Sequence, residues 1–138
     1  ICVGVQIFMK RRKDKRMEEM IIMCGINMDE VTNLSSKVCI PCQGGVPPLT
    51  EDEMGEFIKL LNNNWKIVNS HHLERVWEFD NFKQALEFTN NAGDICEEQN
   101  HHADFELGWG RVLAKIYTHK IDGLVESDFI LASKFDEI

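Results

Sequence analysis

Residues 97–124 read EEQNHHADFELGWGRVLAKIYTHKIDGL. Two strand-like runs lie in this stretch, residues 105–107 and 111–119, joined through Gly108, Trp109 and Gly110. In the second run Val112, Ala114 and Ile116 share one face, while Leu113, Lys115, Tyr117 and His119 share the other, because successive strand side chains point to opposite sides. The all-apolar face has to pack on something. That predicts a strand buried on one side, with His119 turned toward the opposite, more polar side. His101 and His102 precede the first run, so three imidazoles surround one predicted hairpin.

Working outward, the upstream half carries clear punctuation. Thr50 is a candidate N-cap with Glu53 three residues on, the spacing of a capping box. Met54, Phe57, Ile58 and Leu61 recur at i, i+3, i+4, i+7, one apolar helical stripe, and Asn62, Asn63 and Asn64 end it. Residues 65–68 and 73–79 read as two strands around the polar connection NSHH, with Leu73, Trp77 and Phe79 alternating against Glu74, Val76 and Glu78. Asp80 is placed to cap a second helix, in which Phe82, Leu86, Phe88, Ala92, Ile95 and Cys96 spread beyond one narrow stripe. So wide an apolar face predicts burial against both a sheet and a neighbouring subunit. A last helix is expected over residues 125–135, with Val125, Phe129 and Ala132 at i, i+4, i+7. The order α-β-β-α-β-β-α predicts an α+β fold: a four-stranded antiparallel sheet with helices packed on one face.

Composition limits the functions available. Among 138 residues, 43% are hydrophobic and 28% charged, values of an ordinary folded domain rather than a disordered or membrane chain. The net charge of −8 is uneven: residues 1–38 carry +2 and the remainder −10. An acidic body disfavours direct nucleic-acid binding, which draws its affinity from Lys and Arg on phosphates. The longest apolar runs fall short of the ~20 residues a bilayer span needs, so no membrane partner is expected. Five irregularly spaced cysteines argue against a disulfide framework and for a reducing, cytoplasmic setting. Residues 1–37, which begin without Met and include KRRKDKR, are read as an N-terminal appendage or leader, with Met23 and Met28 as alternative starts; residues 38–138 are the functional domain.

Histidine's ordinary pKa near 6.5 lets it give and take protons at neutrality. His101 and His102 follow a helix whose carbonyl-rich end favours a cation, and His119 lies on a strand that brings it alongside them. From spacing alone, adjacent loop histidines are more often plain polar residues, as His71 and His72 in the predicted hairpin turn illustrate. A metal role for His101, His102 and His119 is disfavoured because adjacent side chains in an extended loop diverge and the zinc spacings are missing. Cys39 and Cys42 form a C-x-x-C, but QGGVPP follows at once and no strand precedes it, against a redox motif. Trp109 has two readings: a rim aromatic, or a wall for a flat ring.

Taken together, Glu97, His101, His102, Trp109, His119 and Asp128 stand at the signature spacings of the pterin-4a-carbinolamine dehydratases, which this chain resembles over residues 48–138. THKIDGLVESDFILA resembles the family's T-H-x-x-x-G-L-[ST]-E-x-D-[FI]-x-L-A, and NWKIV followed by VWEFDNFKQALEF resembles its hairpin and second helix. Ala103 stands where proline is usual and Val125 where Ser or Thr would cap the last helix, a change worth about 1 kcal/mol. The resemblance implies dehydration of 4a-hydroxytetrahydropterin to quinonoid dihydropterin in tetrahydrobiopterin recycling, with no metal or cofactor. It implies acid-base work by His101 and His119, with His102 orienting the pterin and sharing proton transfer. Glu97, Trp109 and Asp128 are then expected to bind substrate, Asp128 equally as a helix-start residue. A homo-oligomer, dimer or tetramer, is expected. The alternative is an interaction protein, since animal members of the family also serve as dimerisation cofactors of a homeodomain transcription factor; a third reading is a zinc or redox module at Cys39 and Cys42.

Overall fold

A computed structural model describes residues 33–40 and 46–138. A 3₁₀ turn, Leu34–Ser36, is followed by α1 (Glu51–Ile58), β1 (Lys66–Val68), β2 (His72–Glu78), α2 (Phe82–Gln99), β3 (Asp104–Gly108), β4 (Arg111–Ile116) and α3 (Glu126–Phe135). The strands form one antiparallel sheet in the order β1-β2-β4-β3. This is the expected α+β order, and the central β2–β4 pair joins strands separated in sequence by a helix and a third strand.

The register explains which face is buried. Leu73 pairs with Ile116, Arg75 with Ala114 and Trp77 with Val112, and Phe105 lies across from Ala114. Leu73, Val112, Ala114 and Ile116 are fully buried beneath the helices. The opposite face carries Glu74 across from Lys115 and Val76 across from Leu113, a polar, largely solvated surface of the kind an antiparallel sheet tolerates.

Helix α1 begins with the capping box: the Glu53 N–H donates to Thr50 Oγ1 at 3.3 Å and the Thr50 N–H to Glu53 Oε2 at 2.8 Å. Its stripe is shorter than the periodicity suggests. The helix ends at Ile58, and Leu61 is buried from a tight turn instead. Phe57 stacks on Phe129 of α3 at 5.2 Å.

Helix α2 is capped by Asn81, one residue later than the Asp80 expected, because the Asn81 side chain accepts from the Gln84 N–H at 2.9 Å while the Gln84 side chain accepts from the Asp80 N–H. The residues it buries within the chain are Ala85, Phe88, Ala92 and Cys96; Phe82 and Leu86 remain exposed.

Helix α3 departs most from its expected single stripe, being buried on nearly all sides from Ser127 to Ser133. Part of the cover is residues 34–40, of which 34–37 belong to what the sequence reading takes as the appendage. Leu34 and Cys39 enter the core, Lys37 pairs with Glu126 at 2.7 Å, Lys134 Nζ donates to the Ser35 carbonyl at 2.7 Å, and the Ile40 N–H donates to Ser127 Oγ at 3.0 Å. The remainder of the appendage, with Met23 and Met28, lies outside the described residues, as does Cys42.

Candidate active site

The site is assembled where three elements end. The C-terminus of α2 closes in a Schellman motif: the His101 N–H bonds the Cys96 carbonyl at 3.1 Å and the Asn100 N–H bonds that of Glu97 at 3.3 Å. Asn100 takes the left-handed conformation this requires, φ 52° and ψ 39°, and asparagine tolerates it better than most residues. The chain therefore turns sharply at Asn100 and sends the two adjacent imidazoles different ways.

His101 points inward, its Nε2–H donating to Asp128 Oδ1 at 2.7 Å. Asp128 is completely buried. Its carboxylate also accepts from Thr118 Oγ1, at 3.1 and 3.0 Å, and from the Val125 N–H at 2.8 Å. One carboxylate thus ties the end of α2, the end of β4 and the start of α3 together. It also takes over part of the capping duty that Val125, lacking a side-chain acceptor, leaves undone. With no exposed surface and three protein donors, Asp128 holds protein groups, which favours the helix-start reading of it over the substrate-binding one.

His102 points outward, half exposed, with Nε2 2.5 Å from Glu97 Oε2. Glu97 and His102 form part of the wall of a groove of about 470 Å³ between α2 and β3, which Asn90, Gly93, Ala103 and Phe105 also line. His101 and His119 are not among its lining residues. Ala103 contributes something proline cannot, a backbone hydrogen bond to the Cys96 thiol.

His119 follows Thr118, which is bridged to Gly123. Its Nε2 lies 3.5 Å from Asp104 Oδ2 and its ring 4.2 Å from that of Tyr117. It stands on the polar side of the sheet with Tyr117, as the alternation of β4 predicts. Asp104 lies two residues after His102, and Thr118 shares Asp128 with His101, so the surroundings of all three imidazoles are linked.

Trp109 is not brought to them. It occupies the β3–β4 turn, 70% exposed, whereas Asp104 and His119 flank the other end of that hairpin. The four residue steps from Asp104 to Gly108 span about 13 Å. Within one chain Trp109 therefore stands well away from the histidines. The aromatic neighbour of His119 is Tyr117, which sequence reasoning placed on the right face but gave no role. Thr118 and Asp104 were also missed; their nearness to histidines in sequence was the available signal.

Burial pushes the Cys39 thiol up to about 11 and raises that of Cys96 as well, which suppresses the thiolate a redox or metal role needs. Among the described residues no three His, Cys, Asp or Glu side chains are grouped closely enough to hold a metal ion. No helix among them is long and apolar enough to cross a membrane.

Comparison with known proteins agrees on the fold and extends it. The sequence profile described as pterin 4 alpha carbinolamine dehydratase matches residues 47–138. A protein of Alkaliphilus metalliredigens named as a pterin-4-alpha-carbinolamine dehydratase is 50% identical over 107 residues, covering 78% of this chain and 96% of its own length. A Rubrobacter xylanophilus protein of the same name is 48% identical over 108 residues, covering 78% of this chain and all of its own. The crystal structure of a transcriptional coactivator/pterin dehydratase from Brucella melitensis superposes with a TM-score of 0.61 at 30% identity, covering 65% of this chain and 96% of that one.

Proposed function

The chain belongs to the pterin-4a-carbinolamine dehydratase family, a family of carbon–oxygen lyases, and we propose that it dehydrates 4a-hydroxytetrahydropterin to quinonoid dihydropterin with its own histidines as acid and base. The reaction breaks the C4a–O bond, removes the N5 proton and forms the C4a=N5 bond. Hydroxide is a poor leaving group, so one proton must reach the departing oxygen as another leaves nitrogen.

The observation that carries this reading is the buried Asp128 carboxylate and the groups it binds. By accepting from His101 Nε2–H it fixes the tautomer, leaves Nδ1 as the proton acceptor, and stabilises the imidazolium that forms. His101 is thus the base toward N5. His119, with Asp104 beside it at 3.5 Å, is the acid toward the 4a-oxygen. His102, held by Glu97, binds and orients the pterin. After turnover His101 has gained a proton and His119 has lost one, and exchange with water resets both. The product needs a reductase to return it to the tetrahydro form, which fits a role in tetrahydrobiopterin recycling.

Stopped-flow measurement of carbinolamine dehydration tests this. His101→Ala and His119→Ala should each lose about 100-fold or more, the usual range for a general acid or base; full rates in both variants would refute the assignment. A second reading, association through α2, is favoured by Phe82 and Leu86, which stay exposed on that helix. A homo-oligomer is its simplest outcome, and light scattering of Phe82→Ser/Leu86→Ser against the intact chain tests it. Preferential binding of a different protein over self-association would favour a coactivator role.

A further inference from the structure

The β1–β2 turn delivers a second pair of imidazoles to the face of the sheet where His119 lies. Asn69 and Ser70 both have φ of 54°, and the turn closes through the His71 N–H to the Val68 carbonyl at 2.9 Å. Both residues are left-handed, and three residues, 69–71, join the paired Val68 and His72. His72, expected in the turn, is instead the buried first residue of β2, and His71 lies against Tyr117 with ring centroids 4.6 Å apart. Tyr117 in turn lies against His119 at 4.2 Å.

His71 also grips the turn that carries His119. Its Nε2 is 2.7 Å from Asp122 Oδ1. Asp122 closes that turn through its N–H to the Thr118 carbonyl at 2.9 Å, beside the Thr118 N–H to Gly123 carbonyl bond at 2.9 Å. Asp122 has φ of 56°, a left-handed conformation that a non-glycine residue keeps at some cost unless its surroundings hold it. His71 Nδ1 lies 3.0 Å from His72 Nδ1, and His72 Nε2 lies 3.5 Å from Glu74.

We propose that His71, Asp122 and Tyr117 form a clamp that positions the His119 imidazole for proton transfer. The need for one is physical. His119 is more than half exposed and its charged neighbour Asp104 stands 3.5 Å away, so an unsupported ring would sample several rotamers. General acid catalysis needs the donor held within hydrogen-bond reach of the leaving oxygen. The stack on Tyr117 restricts the ring, and the His71–Asp122 pair fixes the backbone beneath it. None of the three touches the reacting atoms; all act through His119, so the proposal rests on the role given to that residue above.

The test uses the full chain in stopped-flow dehydration, together with NMR of the His119 ring protons. Tyr117→Ala should lower kcat about 10- to 100-fold with KM little changed, the scale of a small misplacement, and Tyr117→Phe should restore it. His71→Ala should lower kcat in the same direction, and combined with Tyr117→Ala should cost less than the product of the two, as coupled residues do. Asp122→Asn, which keeps an acceptor for His71, should stay closer to the intact rate than Asp122→Ala. The His119 ring signals should move in Tyr117→Ala and in His71→Ala and stay nearly in place in Tyr117→Phe. Unchanged kcat in Tyr117→Ala beside an inactive His119→Ala overturns the clamp, as do His119 signals indifferent to His71. If His119→Ala keeps its full rate, the catalytic reading falls instead, and the NMR comparison alone then decides whether the clamp exists.

Discussion

Replacing Asp128 by Asn exchanges one carboxylate oxygen for NH2 at the centre of the site and keeps its volume. The carboxylate accepts from three donors, His101 Nε2–H, Thr118 Oγ1–H and the Val125 N–H. An amide presents one oxygen and one NH2. With the NH2 toward Val125, two donors face each other at the start of α3 and that N–H is left unsatisfied, at about 1–3 kcal/mol. With the NH2 toward His101, the imidazole must move its proton to Nδ1 to accept, which removes the base. Either arrangement costs about 1–3 kcal/mol of stability, and the second also costs activity by about 10³- to 10⁴-fold, the scale seen when a histidine base is held in the wrong tautomer. Asp128→Ala leaves all three donors buried without an acceptor and should lose more stability, about 3–5 kcal/mol. The assays are urea unfolding followed by tryptophan fluorescence, stopped-flow dehydration, and 15N NMR of the His101 ring. A folded Asp128→Asn as stable as the intact chain would refute the hydrogen-bond argument, and one whose His101 proton has moved to Nδ1 with its rate intact would refute the argument that this carboxylate sets the base.

Three further outcomes are expected. The His72 pKa lies below its ordinary 6.5, first because the ring is buried and second because Lys115 is near. The unfolded state therefore binds the proton first: stability is complete above about pH 6.5, falls as pH drops from there toward the lower folded value, and then levels. Urea midpoints at pH 7.5 and 5.5 should show this loss, and His72→Gln should lack that share of it. Cys39, pushed up to about 11 from 9.0 by burial, should resist iodoacetamide at pH 8 in the folded protein and react in urea, read by mass spectrometry. Stability should also decline as pH rises from 9 toward 11, because the unfolded thiol ionises first. Asp136→Ala should cost about 1–3 kcal/mol by leaving the part-buried Arg75 guanidinium without its charge partner; it also removes the acceptor of Trp65 Nε1–H at 2.7 Å, so the native emission should shift, while Arg75→Met should lose less.

Some of this architecture is written in short-range pattern. Thr50 and Glu53 mark the start of α1 because a capping box is closed by residues three apart, and the alternation from Val112 to His119 assigns the faces of β4 because strand side chains alternate whatever the rest of the chain does. The His101, His102 and His119 motif, with its spacing to Asp128, was legible for the same reason. What the sequence alone left open depends on partners far apart in the chain. That His101 and Thr118 meet on one buried carboxylate follows from docking α2, β4 and α3 together, and no local signal distinguishes such an aspartate from an ordinary helix-start residue. Tyr117, and not Trp109, stands beside a histidine because strand register sets which end of the hairpin faces them. His72 is buried through the β1–β2 pairing, and residues 34–40 join the core because α3 presents apolar surface on more sides than its own stripe reveals. Periodicity records which side of an element is apolar; the element that covers it is chosen by packing in three dimensions.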